Sequence, residues 1–153
     1  MNLNLGSGSD RLPGFSNVDV RESIFVDYVV DLNSTDWPFP DDSIEYIRAY
    51  HVFEHLKDKA NTFNQCWRIL KPYSILEFEV PTTDGWGAFS DPQHVSFWNE
   101  DVLNYISQEM NSICYQFGKS SGLNCNFKIQ AFHTYLLRKN VPCLNVVAIK
   151  QPL

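Results

Sequence analysis

The stretch Asn2-Leu-Asn-Leu-Gly-Ser-Gly-Ser-Asp10 constrains the rest of this chain more than any other. Leu3 and Leu5 alternate with Asn2 and Asn4, the period of a half-buried strand, and the strand runs directly into Gly6-Ser7-Gly8. Two glycines one residue apart at a strand end suit a turn where bare backbone must approach a partner closely. In an open α/β sheet the carboxyl end of the first strand is where nucleotide-like ligands sit. The turn is therefore a candidate holder of an adenosine-containing cofactor.

The segments that follow read as an α/β sheet. Asn17–Val20 and Tyr28–Leu32 are short apolar strands, each carrying an acid near its end, Asp19 and Asp31. Only eight residues, Ser9 to Ser16, separate the first two strands, fewer than the dozen or so that a crossover helix needs. A loop is expected in its place. Residues 33–43 are dense in turn formers, and Ile44–Tyr50 favours a strand. Phe63, Cys66, Trp67 and Leu70 at helical spacing, with Asp58 near the start and Pro72 beyond the end, predict a helix over 56–70. Ile75–Val80 alternates as a strand, and a loop follows from Thr82 to Trp98. Asn99 caps a further helix that buries Val102, Leu103 and Ile106. Strands at Phe127–Leu137 and Leu144–Lys150, joined around Asn140 to Pro142, form a closing hairpin. Strands alternating with helices and finished by a hairpin define a mostly parallel sheet with an antiparallel edge and helices on both faces.

Length and charge limit what such a sheet can do. At 153 residues the chain supports one domain, expected to span 1–153, and no internal repeat divides it. Eighteen acids against twelve bases give a net charge of −6, and no basic run exceeds the pair Arg138-Lys139. Nucleic acid and anionic membranes are poor partners for that surface. Four scattered cysteines without a Cys-x-x-Cys pair argue for reduced thiols, and neither a membrane span nor a secretion signal is visible, so a cytoplasmic location is expected.

Six segments in order then carry a resemblance: Leu-Asn-Leu-Gly-Ser-Gly-Ser, Asn-Val-Asp-Val, Val-Asp-Leu, Trp-Pro-Phe-Pro-Asp-Asp-Ser, His-Val-Phe-Glu-His-Leu and Trp-Arg-Ile-Leu-Lys-Pro. Over about residues 3 to 81 the sequence resembles the class I S-adenosylmethionine-dependent methyltransferases. The resemblance implies a Rossmann-like methyltransferase three-layer sandwich with strand order 3-2-1-4-5-7-6. It implies that Gly6, Ser7 and Gly8 hold the methionine and ribose side of S-adenosylmethionine and that Asp19 bonds the ribose hydroxyls. Asp31 and Leu32 would lie beside adenine, and Tyr50 and His51 would flank the sulfonium. The acceptor is expected to be a small molecule or glycan-like metabolite. The sequence departs from the fuller family pattern in lacking a third glycine, a first crossover helix and a helix before the first strand, which makes a homodimer a reasonable way to complete the enclosure. A cofactor-binding sensor or subunit without catalysis is the alternative from another class. A nicotinamide enzyme fits less well, because Asp19 follows Gly8 by eleven residues rather than about twenty.

Two histidine features stand beside this reading. His51-Val-Phe-Glu54-His55 fits the H-x-x-E-H motif of inverted zinc metallohydrolases, which requires a helix and a third ligand downstream. His94, in Asp91-Pro-Gln-His94, is the candidate catalytic base, an imidazole in the loop expected beside the acceptor. No metal is assigned.

Overall fold

The computed structural model describes residues 1–137 and 140–153; the basic pair Arg138-Lys139 lies outside the described residues. Among those described, seven strands form one sheet: β1 (Asn2–Leu5), β2 (Ser16–Asp19), β3 (Tyr28–Val29), β4 (Ile44–Tyr50), β5 (Leu70–Pro81), β6 (Phe127–Leu137) and β7 (Val141–Lys150). Their order is β3-β2-β1-β4-β5-β7-β6. The first five run parallel, and β7 lies antiparallel between β5 and β6. This is the expected methyltransferase order with its antiparallel C-terminal strand.

Strand alternation decides where the core sits. Leu3 and Leu5 of β1, Ile47 and Ala49 of β4, Leu76, Phe78 and Val80 of β5, and Leu144, Val146 and Ala148 of β7 are all buried. Against them packs α1 (Lys59–Ile69), contributing Phe63, Cys66 and Ile69. Phe53, Phe63, Phe78 and Trp98 form an aromatic cluster with centroids 5.4 to 6.2 Å apart. Asp58 caps α1 by accepting the Asn61 amide at 2.9 Å. Short helices α2 (Gly87–Ser90) and α3 (Leu103–Ile106) and the longer α4 (Ser112–Ser120) follow β5, with Leu103 and Ile106 joining the same core.

The opposite face differs from the expectation of helices on both sides. Asn4, Arg48, Tyr50, Glu77, Glu79 and Asn145 share it by register. Its cover over β1 and β4 is loop, with Phe15 set edge-on against Tyr46 at 5.6 Å. The reason is chain length: residues 6–15 and 20–27 are too few to build a helix and return along the sheet.

Element bounds differ for local reasons. Tyr28–Val29 alone pairs in β3; Asp31 then turns the chain by accepting the Asn33 amide, so the expected strand to Leu32 is cut short. Helix α1 begins at Lys59 rather than Leu56, since a single 3-10 turn, Phe53–His55, occupies the preceding residues. Strand β5 starts at Leu70, opposite Ile44, and loops out of register before Ile75, with Tyr73 at φ 65°. The helix expected after Asn99 is a 3-10 turn, Glu100–Val102, leading into α3. Helix α4 was not anticipated; Asn111 caps it by accepting the Ile113 and Cys114 amides, each at 3.1 Å.

Candidate functional site

At the carboxyl ends of β1, β2 and β4 lies a cavity of about 470 Å³, lined by Gly6, Asp19, Asp31, Leu32, His51 and His55 among others. Five of the eight residues expected to hold the cofactor therefore meet in one place. Ser7 and Tyr50 line a second cavity of about 650 Å³, together with Arg48, Glu79 and Tyr135. Gly6 and His51 belong to both, so the two cavities join at that pair. Gly8 borders a shallower depression on the other side of Asp19.

The glycine turn is shaped by what it must avoid. Gly6 sits at φ 63°, and a Cβ there would stand 2.5 Å from the Val52 Cβ. Only glycine closes that turn without collision or strain. Gly8 donates its amide to one Asp19 carboxylate oxygen and Arg21 donates to the other, each at 2.9 Å. Asp19 is thereby fixed at the cavity edge with lone pairs left for further donors.

The far wall rests on the Trp-Pro-Phe-Pro loop. Trp37 is buried and donates its indole N–H to the Leu32 carbonyl at 3.2 Å. Arg68 on α1 donates to the carbonyls of Trp37 and Phe39, both at 2.9 Å, and to Asp41 at 2.6 Å. The loop residues and the Trp-Arg-Ile-Leu segment are thus one unit that holds Leu32 in the cavity.

His51 closes the junction in a left-handed backbone conformation, φ 53°, with its amide donating to the Glu79 carbonyl at 2.9 Å. Its ring lies between two buried carboxylates: Nδ1 is 3.4 Å from Glu54 and Nε2 is 3.0 Å from Glu79. The hydrogen bond with Glu54 is the main cause holding the imidazole pKa above its ordinary value, opposed by burial and assisted by Glu79. Tyr50 donates its hydroxyl to Glu77 and accepts from the Asn145 amide at 3.0 Å. Burial, then the bond to Glu77, pushes that phenol up to about 12.

His94 lines neither of the two joined cavities. Its ring packs behind His55, centroids 4.9 Å apart, and Nδ1 bonds the Ala88 carbonyl at 3.0 Å. The H-x-x-E-H segment does not form the expected helical face. His51 turns toward Glu79 at the end of β4, whereas Glu54 and His55 lie in the 3-10 turn. Glu79 escaped the sequence reading; the available signal was a carboxylate at the apolar end of a strand, next to Val80-Pro81.

A family profile described as a methyltransferase domain matches residues 11–116. The chain belongs to this family, the class I S-adenosylmethionine-dependent methyltransferases. A Mycolicibacterium smegmatis protein named "Probable S-adenosylmethionine-dependent methyltransferase" is 28% identical over 67 residues, 44% of this chain. The match spans only 23% of that protein's length. Among solved structures, the 1,6-didemethyltoxoflavin-N1-methyltransferase of Burkholderia thailandensis, with bound 1,6-didemethyltoxoflavin and S-adenosylhomocysteine, superposes with a TM-score of 0.66 at 14% identity, covering 99% of this chain and 71% of that one. An S-adenosylmethionine-dependent methyltransferase from Archaeoglobus fulgidus gives 0.65 at 16% identity, covering 97% and 85%. At these identities the likeness is one of fold.

Proposed function

We propose that the protein binds S-adenosylmethionine in the cavity beneath the Gly6–Gly8 turn and directs methyl transfer to a small-molecule acceptor in the adjoining cavity. The observation that carries this reading is the meeting of the two cavities at Gly6 and His51, with Asp19 fixed on the rim of the first. Asp19 accepts from the ribose hydroxyls, Asp31 and Leu32 border the adenine, and the turn from Gly6 to Gly8 leaves room for the methionine part. The bound cofactor supplies an electrophilic methyl group on a sulfonium. The chain's part is alignment and exclusion of water.

Charge supports the same assignment. Asp19, Asp31, Glu54 and Glu79 surround the junction, and among the residues lining the first cavity Arg21 and the histidines stand against them. An acidic surround favours a cationic sulfonium over its neutral product. On the acceptor side, Arg48 is stacked on the Tyr50 ring at 3.9 Å, and Glu79 and Tyr135 offer polar groups to a hydroxyl- or amine-bearing molecule. His51 rather than His94 faces that acceptor. The test is formation of S-adenosylhomocysteine with a panel of hydroxyl- and amine-bearing metabolites: turnover that requires both protein and acceptor is expected. Tight cofactor binding with no turnover on any acceptor would overturn the catalytic part and leave a sensor.

A further inference from the structure

Behind the cofactor cavity, Glu54, His55 and His94 bring one donor atom each to within 4.8 Å of one another. The methyl-transfer reading draws on Glu54 only as part of the acidic surround and gives the three groups no joint role. Two details of its surroundings give it a definite chemistry.

The first is the state of the imidazoles. His55 Nδ1 lies 3.1 Å from the Gln93 carbonyl, and His94 Nδ1 lies 3.0 Å from the Ala88 carbonyl. A carbonyl oxygen can only accept, so each Nδ1 carries a proton and Nε2 is the atom each ring turns to the cluster. Metal-binding histidines are fixed in this way, with the far nitrogen donating to a backbone carbonyl and the near one free to ligate. His94 Nε2 stands 4.0 Å from the Glu54 carboxylate, too far for a hydrogen bond between them.

The second detail is Glu54 itself. It is 2% exposed, and its Oε2 has no hydrogen-bond partner among the described residues. Its Oε1 already faces His51 Nδ1 at 3.4 Å; leaving the second buried carboxylate oxygen unpaired is costly, and a bound cation would complete it. The backbone around it is firmly set. Val95 and Ser96 amides donate to the Glu54 carbonyl at 2.9 and 3.0 Å, and the Ser96 hydroxyl donates to the Phe53 carbonyl at 2.9 Å. These bonds tie the 3-10 turn to the Asp91–Trp98 loop at Val95 and Ser96, which brings the backbone of the three donors together.

We propose that Glu54, His55 and His94 form a binding site for a divalent transition ion of the zinc class. Two imidazoles and a carboxylate are a borderline donor set that suits zinc and its neighbours better than calcium or magnesium. Donors about 2.0–2.2 Å from a shared ion stand roughly 3–4 Å apart, so the site closes with small side-chain shifts. His55 and Gln93 also line the cofactor cavity, so the ion sits at its wall and clamps the Asp91–Trp98 loop there. Asp91, 4.0 Å from His94 Nε2, adds a second carboxylate on the outer side.

The test uses untagged protein stripped with a chelator and titrated with zinc alone, with no cofactor present, so that its outcome is separate from that of methyl transfer. One ion per chain is expected, together with a rise in melting temperature that chelator reverses. H55Q and H94Q should each weaken binding by more than about 100-fold, beyond the loss seen when only an outer partner is removed. C143S should bind as the parent does, which separates this site from the group His51, Glu79 and Cys143. Cobalt in place of zinc should give visible bands without a thiolate charge-transfer band. Absence of stoichiometric binding by the parent protein overturns the proposal, as does a thiolate band or parent-like affinity in H55Q and H94Q.

Discussion

At the scale of single residues, the site depends on positions where one atom decides the outcome. Gly6→Ala would place a Cβ against the Val52 Cβ, which is fixed to its own backbone and cannot rotate aside. Together with the positive φ, this should cost about 1–3 kcal/mol of stability and remove cofactor binding, as measured by thermal melting and calorimetry. Glu79→Gln keeps the side chain's shape and removes its charge beside His51. It should lower kcat by at least about tenfold and weaken the cofactor by a smaller factor, through loss of one charge of the acidic surround, a split between kcat and binding that a general folding defect would not give. The thiols also separate. Burial holds Cys66 well above the ordinary thiol range and pushes Cys125 up to about 12 and Cys143 up to about 11, whereas Cys114 is partly exposed. Mapping by mass spectrometry should find Cys114 alkylated first; early loss of Cys66 or Cys125 would contradict the packing. That Gly6, Asp19, Asp31 and Leu32 line one cavity was legible because Gly6 and Asp19 stand at the ends of β1 and β2 and Asp31-Leu32 follows β3 closely. Glu79 was not, because a carboxylate in an alternating strand reads as solvent-facing until its neighbours on β4 and β7 are known.

At the scale of elements, two connections replace absent helices and can be tested separately. Arg68 satisfies the carbonyls of Trp37 and Phe39, so Arg68→Ala should cost about 1.5–3 kcal/mol through charged hydrogen bonds and loosen the wall at Leu32. The loop before β3 is held by Asp27, whose carboxylate accepts the Asn17 amide at 2.8 Å and pairs with Arg11 at 3.2 Å. The Asn17 amide is the main cause keeping the Asp27 pKa below its ordinary 3.8. The folded value is the lower one, so the contribution is complete above 3.8 and is lost as pH falls through the depressed value. Melting temperature followed from pH 5 to pH 2.5 should fall more steeply for the parent than for Asp27→Asn. Strand β4 was legible from its β-branched and aromatic residues, and helix α1 from apolar spacing together with Asp58 and Pro72. The start of α1 was not, because the 3-10 turn before it buries Phe53 and Leu56 as a helix would. Helix α4 escaped because it is only nine residues long, contains Gly118, and buries only Tyr115 and Gly118, so little in its composition marks a core-facing helix.

At the scale of the whole molecule, the sheet order is the one the methyltransferase resemblance implied, and the uneven layering follows from crossover length. One face carries the aromatic core under α1 and α3; the other carries the polar cavity where Arg48, Tyr50 and Glu79 meet the cofactor turn. On the proposed reading, the cofactor and acceptor cavities join at Gly6 and His51. Calorimetry with S-adenosylmethionine on the parent protein and on Asp19→Asn tests this account most directly. One molecule per chain is predicted, weakened at least tenfold in Asp19→Asn, a change of about 1.4 kcal/mol. No binding by the folded parent protein, or equal binding by Asp19→Asn, would contradict it.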